Sequence, residues 1–258
     1  METPESLDDA TDRMVRTTML LGLVPALVVG VLLLLVQPLV GLAAVLLIAG
    51  AWAAFVAAKV RGARSALVGP LGGSPLQGGG HPRLENLLDG LTVTGGVTRP
   101  QVLVREDATM NALVAADAEG ATLVLTRGLV DGLGRVELEG VLANLLGRQR
   151  DGSARYATVV TALHGSGSRG ARLLLKGLGE QRAVRSDLAA IDMTRYPPGL
   201  IAALGEMTRV GTQVAGVPPR SVPLWLASPV PTTDAVDAAL AESTLQPLSL
   251  RIAVLEEL

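Results

Sequence analysis

The 258 residues carry 22 basic and 24 acidic side chains, only two histidines and no cysteine. A net charge of −2, with aromatics at 2%, excludes the basic, aromatic-interleaved surface of a nucleic-acid reader. Without cysteine there is no disulfide, thiolate nucleophile or cysteine-bound zinc. Hydrophobic residues reach 49%, and the excess lies before residue 60.

No residue from Thr17 to Ala58 is charged. A spanning helix needs about 20 apolar residues, so this stretch fits two. Gln37-Pro38 divides it near the middle, where proline lacks the N–H that a continuous helix would use. The reading is a membrane hairpin with helices near 17–36 and 39–58. It is too long for the apolar core of a secretory signal. Arg13 and Arg16 precede it, Lys59, Arg61 and Arg64 follow it, and the turn has no basic residue. The basic flanks predict both termini and the soluble domain on the cytoplasmic side of the cell membrane.

The next stretch, GPLGGSPLQGGG over 69–80, has the composition of a flexible tether. The expected organisation is an N-terminal tail over 1–16, the hairpin over 17–58, a Gly/Pro-rich linker over 59–80 and a soluble domain over 81–258.

Leu84, Leu87, Leu88 and Leu91 recur at helical spacing and predict an amphipathic helix over 82–94. Strand-like runs follow at 101–105, 111–116 and 121–125, and Asp117-Ala-Glu-Gly120 reads as the turn joining the last two. A short helix is expected near 127–133 and a longer one near 135–149. Further helices are expected near 153–164, 171–193, 197–214 and 247–257, with a strand at 223–227 in a Pro-rich stretch. Few strands and many helices predict an α+β domain. Gly-rich GSGSRG at 165–170 lacks the Lys-Ser/Thr ending of a phosphate loop.

The 135–149 helix reads VELEGVLANLLGRQRDG with its flanks, and Glu137-Leu138-Glu139, Val141-Leu142-Ala143 and Leu146-Gly147 keep one frame. That frame resembles the active-site helix of the HtpX-like membrane zinc metallopeptidases, in which H-E-x-x-H is set within E-L-E-x-V-L-A-H-E-L-x-H. Met110-Asn111-Ala112 is similar to the family's substrate-facing edge strand. Thr126 to Leu129, Met193 to Pro197, and Pro247-Leu248 with Arg251-Ile252 fall in the family's order.

The resemblance implies a mostly helical zincin-like domain with a small β-sheet behind two transmembrane helices, and a catalytic zinc. Such chemistry needs two imidazoles one helical turn apart, a carboxylate general base and a third ligand. At those places stand Asn144, Leu145, Arg148 and Ala183, and the later family histidine falls on Leu245. Asp187 matches a family aspartate that supports a ligating histidine. The residues Asn144, Leu145, Arg148, Ala183 and Asp187 therefore read as a vestigial active site with no zinc. Asp187 is expected to accept a hydrogen bond from Asn144 or to pair with Arg148, and Leu145 to make the old cleft more apolar.

Glu180 offers an alternative carboxylate if the frame slips by three residues, but no imidazole accompanies it. Asn111, Ala112, Leu113 and Val114 read as an edge strand able to pair with an extended peptide. The resulting expectation is a catalytically inactive, membrane-anchored binding or regulatory module in the setting of protein quality control. Its partners would be the lipid bilayer and a peptide segment, another membrane protein or an active relative. The rivals are an active zinc endopeptidase with unusual ligands and a purely structural membrane protein. An edge strand covered by the chain's own C-terminal segment would favour the last of these.

Overall fold

The computed structural model describes residues 7–35, 37–76, 80–164, 173–175, 181–231 and 245–258. Helix α1 (Leu7–Leu21) runs into α2 (Leu23–Leu34), and α3 (Pro38–Arg61) returns antiparallel to them. The break at Gly22 follows from Pro25, whose ring crowds the carbonyl four residues back, at Leu21. Small residues let the hairpin close: a side chain at Gly22 would strike the Trp52 ring, and one at Gly30 would strike Val45. Trp52 Nε1 donates to the Thr18 carbonyl at 2.9 Å. Most of the described leucines and valines from Leu20 to Leu47 point outward, as lipid-facing side chains do. Two helical stretches, Leu7–Leu33 and Pro38–Arg61, are long and apolar enough to cross a membrane.

The tail and the linker both differ from expectation. From Leu7 onward the tail is helical and lies on α8 (Ser153–His164), where Arg155 bonds Asp8 at 3.0 Å and Asp12 at 2.6 Å. The expected tether is built into the fold up to Leu76. Helix α4 (Ala63–Val68) and the 3₁₀ turn Gly69–Leu71 bury Leu67, Val68 and Leu71. Gly72 and Gly73, both at positive φ, then turn the chain so that β1 (Ser74–Pro75) pairs antiparallel with β2 (Gln101–Arg105). Glycine content suggested a tether, but Leu67 and Val68 just before the glycines and Leu71 among them anchor the segment.

Helix α5 (Pro82–Gly95) buries the four leucines expected of it and ends on Gly96 in the left-handed region. The sheet runs β1-β2-β4-β3, with β3 (Ala112–Ala116) and β4 (Ala121–Thr126) joined as the predicted hairpin. Asp117 fixes its turn, accepting from the Glu119 and Gly120 amides at 2.9 and 3.1 Å. Both strands are buried at every residue. Ala112, Val114, Leu123 and Leu125 enter one apolar cluster, while Leu113, Ala115 and Val124 enter another on the opposite face. A sheet covered on both faces needs continuous apolar strands rather than an alternating pattern.

Helix α6 (Arg127–Gly132) leads to α7 (Arg135–Arg150), which crosses the larger cluster and is buried from Leu138 to Arg148 except at Glu139. The Glu137 carboxylate accepts from the Gly134 amide and closes its first turn. Gly140 brings α7 against the backbone of Leu200 in α10 (Pro197–Val210), where a Cβ would lie 3.0 Å from Leu200 Cα. Helix α9 (Arg182–Thr194) packs on the other flank, and α11 (Leu248–Glu256) closes the domain.

Helix α10 stops at Val210 rather than 214, because Gly211 has φ +105°. The strand expected at 223–227 is instead a 3₁₀ turn, Pro219–Leu224, followed by a single bridge between Trp225 and Leu113. Of the helix expected at 171–193, the part from Arg182 is present as α9. The 165–170 glycine stretch and Glu180 lie outside the described residues. The fold is a mostly helical α+β domain behind two candidate membrane helices.

Candidate functional site

Helices α7, α9 and α11 and the 223–227 segment meet around one small cavity. Asn144 and Arg148 reach it from α7, Arg182, Ala183 and Ser186 from α9, and Arg251 from α11, with Trp225, Leu226 and Leu245 completing the wall. Asn144 and Arg148 stand four residues apart and so share a helical face. Ala183 lies across from them, and Leu245 arrives from a distant part of the chain. Four positions named from the sequence frame therefore share one wall.

Asp187, fully buried, accepts from Asn144 Nδ2 at 2.8 Å. The cation paired with it is Arg251, not Arg148. Arg251 Nε donates to Asp187 Oδ2 at 2.7 Å and Nη2 to Oδ1 at 2.6 Å, while Nη1 donates to the Leu226 carbonyl at 2.7 Å. Both side chains are 0% exposed. A planar guanidinium meeting a carboxylate with two parallel bonds is a strong, orientationally fixed pair. Arg251 is separated from Asp187 by 64 residues, so nothing in local spacing marks the pairing.

Arg148 turns instead toward main-chain carbonyls, with long contacts of 3.3 Å to Trp225 and 3.4 Å to Pro223. Arg182 Nη1 donates to the same Pro223 carbonyl at 2.9 Å. Burial, and next the neighbouring Arg182, holds the Arg148 guanidinium well below the usual arginine range. Burial also pushes Arg182 down, to about 10. Sequence reading missed Arg182 as a member of the site.

Leu145 does not line the cavity. It points into the main apolar cluster at 0% exposure, so the cleft is cationic rather than more apolar. The donor set does not suit zinc. Asn144, Arg148, Ala183 and Leu245 offer no imidazole, thiolate or carboxylate to the cavity, and a fixed guanidinium repels a divalent cation. Among the described residues no group of three or more His, Asp or Glu comes together to hold a metal ion. His81 precedes α5 and His164 ends α8, both outside this wall. The cavity volume is about 10 Å³, room for roughly one water.

The edge strand is not open along Asn111 to Val114. Leu113 bridges Trp225, and the Leu226 amide donates to the Ala112 carbonyl at 2.7 Å. Asn111 pins the covering segment: its Nδ2 donates to the Ala227 carbonyl at 3.0 Å and the Thr212 carbonyl at 2.8 Å, and its Oδ1 accepts from the Ala112 amide at 2.9 Å. Farther along, the Ala116 amide donates to Thr158 Oγ1 at 3.1 Å. The Pro-rich segment competes for the same backbone groups that a peptide would use, and it is tethered in place.

No family model matches this chain. Three curated relatives all bear the name Protease HtpX homolog. That of Dictyoglomus turgidum is 26% identical over 209 residues, covering 67% of this chain and 68% of its own length. That of Dictyoglomus thermophilum is 27% identical over 186 residues, covering 58% and 61%. That of Tropheryma whipplei is 24% identical over 188 residues, covering 58% and 65%. The chain thus spans roughly two thirds of the length of the curated relatives it matches.

Proposed function

This chain is HtpX-like, and we propose that it is a membrane-anchored protein of that kind which has lost peptide hydrolysis. The observation that carries the reading is the wall of the cavity. The frame's ligand positions hold Asn144, Arg148, Ala183 and Leu245, and the carboxylate beside them, Asp187, is occupied by Arg251. Among the described residues the wall offers no zinc ligand set and no free carboxylate to serve as the general base that such enzymes use. No zinc is bound in this reading, and the buried guanidinium–carboxylate pair ties α9 to α11.

The covered edge strand shifts the choice among non-enzymatic roles. Peptide capture by strand addition requires free backbone donors and acceptors, and the 223–227 segment holds the Ala112 carbonyl and bridges Leu113. The geometry favours a structural or scaffolding role at the bilayer, with another membrane protein or an active relative as the partner met through the outer surfaces. The two helices anchor the chain with both ends and the domain on the cytoplasmic side, as their basic flanks indicate.

The test is a pair of assays on full-length protein in detergent. The expected results are no cleavage of unfolded membrane-protein substrates, with or without added zinc, and co-purification of a specific membrane protein from cross-linked membranes. Chelator-sensitive cleavage would overturn the reading.

A further inference from the structure

The cavity wall carries an imbalance of charge. Arg148, Arg182 and Arg251 are 3%, 4% and 1% exposed, yet among the described residues no carboxylate lines the cavity. Asp187 lies behind Arg251 and is engaged by it through both oxygens. Asp151 favours the charged forms of Arg148 and Arg182 from the exposed end of α7, but it forms no ion pair with either among the described residues. Among the described residues, two guanidiniums are thus buried without a counter-charge.

Their donors are incomplete as well. Arg148 Nε, Arg182 Nε and Arg182 Nη2 are buried with no hydrogen-bond partner. Arginine keeps its proton in proteins, so the site cannot relieve itself by neutralising. An unpaired buried charge is among the most destabilising features a fold can carry. The two side chains converge on one carbonyl, that of Pro223, which places their free edges in one neighbourhood.

We propose that the cavity binds a small inorganic anion of chloride size between Arg148 and Arg182. The space of about 10 Å³, room for roughly one water, suits one small occupant. Asn144 Oδ1, an acceptor also without a partner, repels an anion, so the ion sits on the Arg148–Arg182 side of the wall. In the position where the HtpX frame calls for a cation, this chain has reversed the sign of the site. The inference rests on the arginines and not on the loss of hydrolysis, and its failure would leave that reading standing.

The experiment uses full-length protein in detergent, with gluconate exchanged for chloride at constant ionic strength. The melting temperature is expected to rise by a few degrees and saturate with chloride, as a ligand bound only by the folded state requires. In the double variant R148M/R182M the dependence is expected to vanish. Wild-type crystals soaked in bromide are expected to show an anomalous peak between the two guanidiniums, a readout that does not depend on the variant folding. A chloride-independent melting temperature in the wild type, an equal response in the double variant, or a carboxylate of the chain itself at that position would each overturn the proposal.

Discussion

At the scale of single residues, the arginines of the cavity differ in kind, and the difference is measurable. Arg251 is fully paired and buried. Removing one member of such a pair strands the other's charge and costs about 3–5 kcal/mol. Asp187→Ala and Arg251→Met are therefore expected to lower the unfolding free energy by that amount, as read from denaturant titration in detergent. Arg148→Met removes a charge that has only two long carbonyl contacts and no carboxylate partner among the described residues, so its effect is expected to lie within about 1 kcal/mol of neutral or to be stabilising. Equal losses at Arg148 and Arg251 would contradict this division. Leu145→Glu would place a carboxylate in the main apolar cluster, and its product is expected to be recovered unfolded or aggregated. The sequence frame made Asn144, Arg148, Ala183 and Asp187 legible as neighbours, because a helical register and a family spacing reach that far. It did not reveal Arg182 or Arg251 as their companions. Long-range pairing depends on how α9 and α11 cross α7, and no local pattern encodes that.

At the scale of elements, apolar anchors outweigh composition. The 69–80 stretch has a linker's glycine content, yet Leu71 within it and Leu67 and Val68 just before it are buried in the second apolar cluster, and β1 pairs with the sheet. The hairpin of β3 and β4, by contrast, was fully legible, since its turn chemistry and both strands are local. The covering of β3 was not, because the partner segment lies more than 100 residues away and pairs through a single bridge. Asn111 holds that cover. Asn111→Ala would take a partner from two amides and two carbonyls, an expected loss of about 4 kcal/mol or more at roughly 1–3 kcal/mol per stranded buried group. Hydrogen exchange is expected to show the Ala112 to Ala116 and Leu226 amides protected in the wild type and selectively faster in N111A. Fast exchange at Leu226 in the wild type would mean that the edge is open to peptides after all.

At the scale of the molecule, the anchor and the domain are one construction rather than two parts on a tether. The first helix begins on the domain's surface, at Asp8 and Asp12 against Arg155, and passes into the apolar hairpin without an intervening loop. Surface ion pairs of this exposure contribute at most about 1 kcal/mol, so the coupling rests mainly on the burial of Thr11 and the partly buried Leu7, Ala10 and Met14 beside the second cluster. Because the chain has no cysteine, single introduced cysteines report topology cleanly. Gln37→Cys is expected to react with an impermeant maleimide added outside intact cells, and Glu119→Cys only after permeabilisation. The reverse pattern would invert the orientation.

In the proposed reading, the HtpX-like frame encloses an arginine-lined site that binds no metal. Its most direct test is the metal content of the purified full-length protein, by elemental analysis after equilibration with trace zinc and removal of the unbound ion. The account predicts no stoichiometric metal; about one zinc per chain would contradict it and return Asn144, Asp187 and the residues around them to the role of ligands.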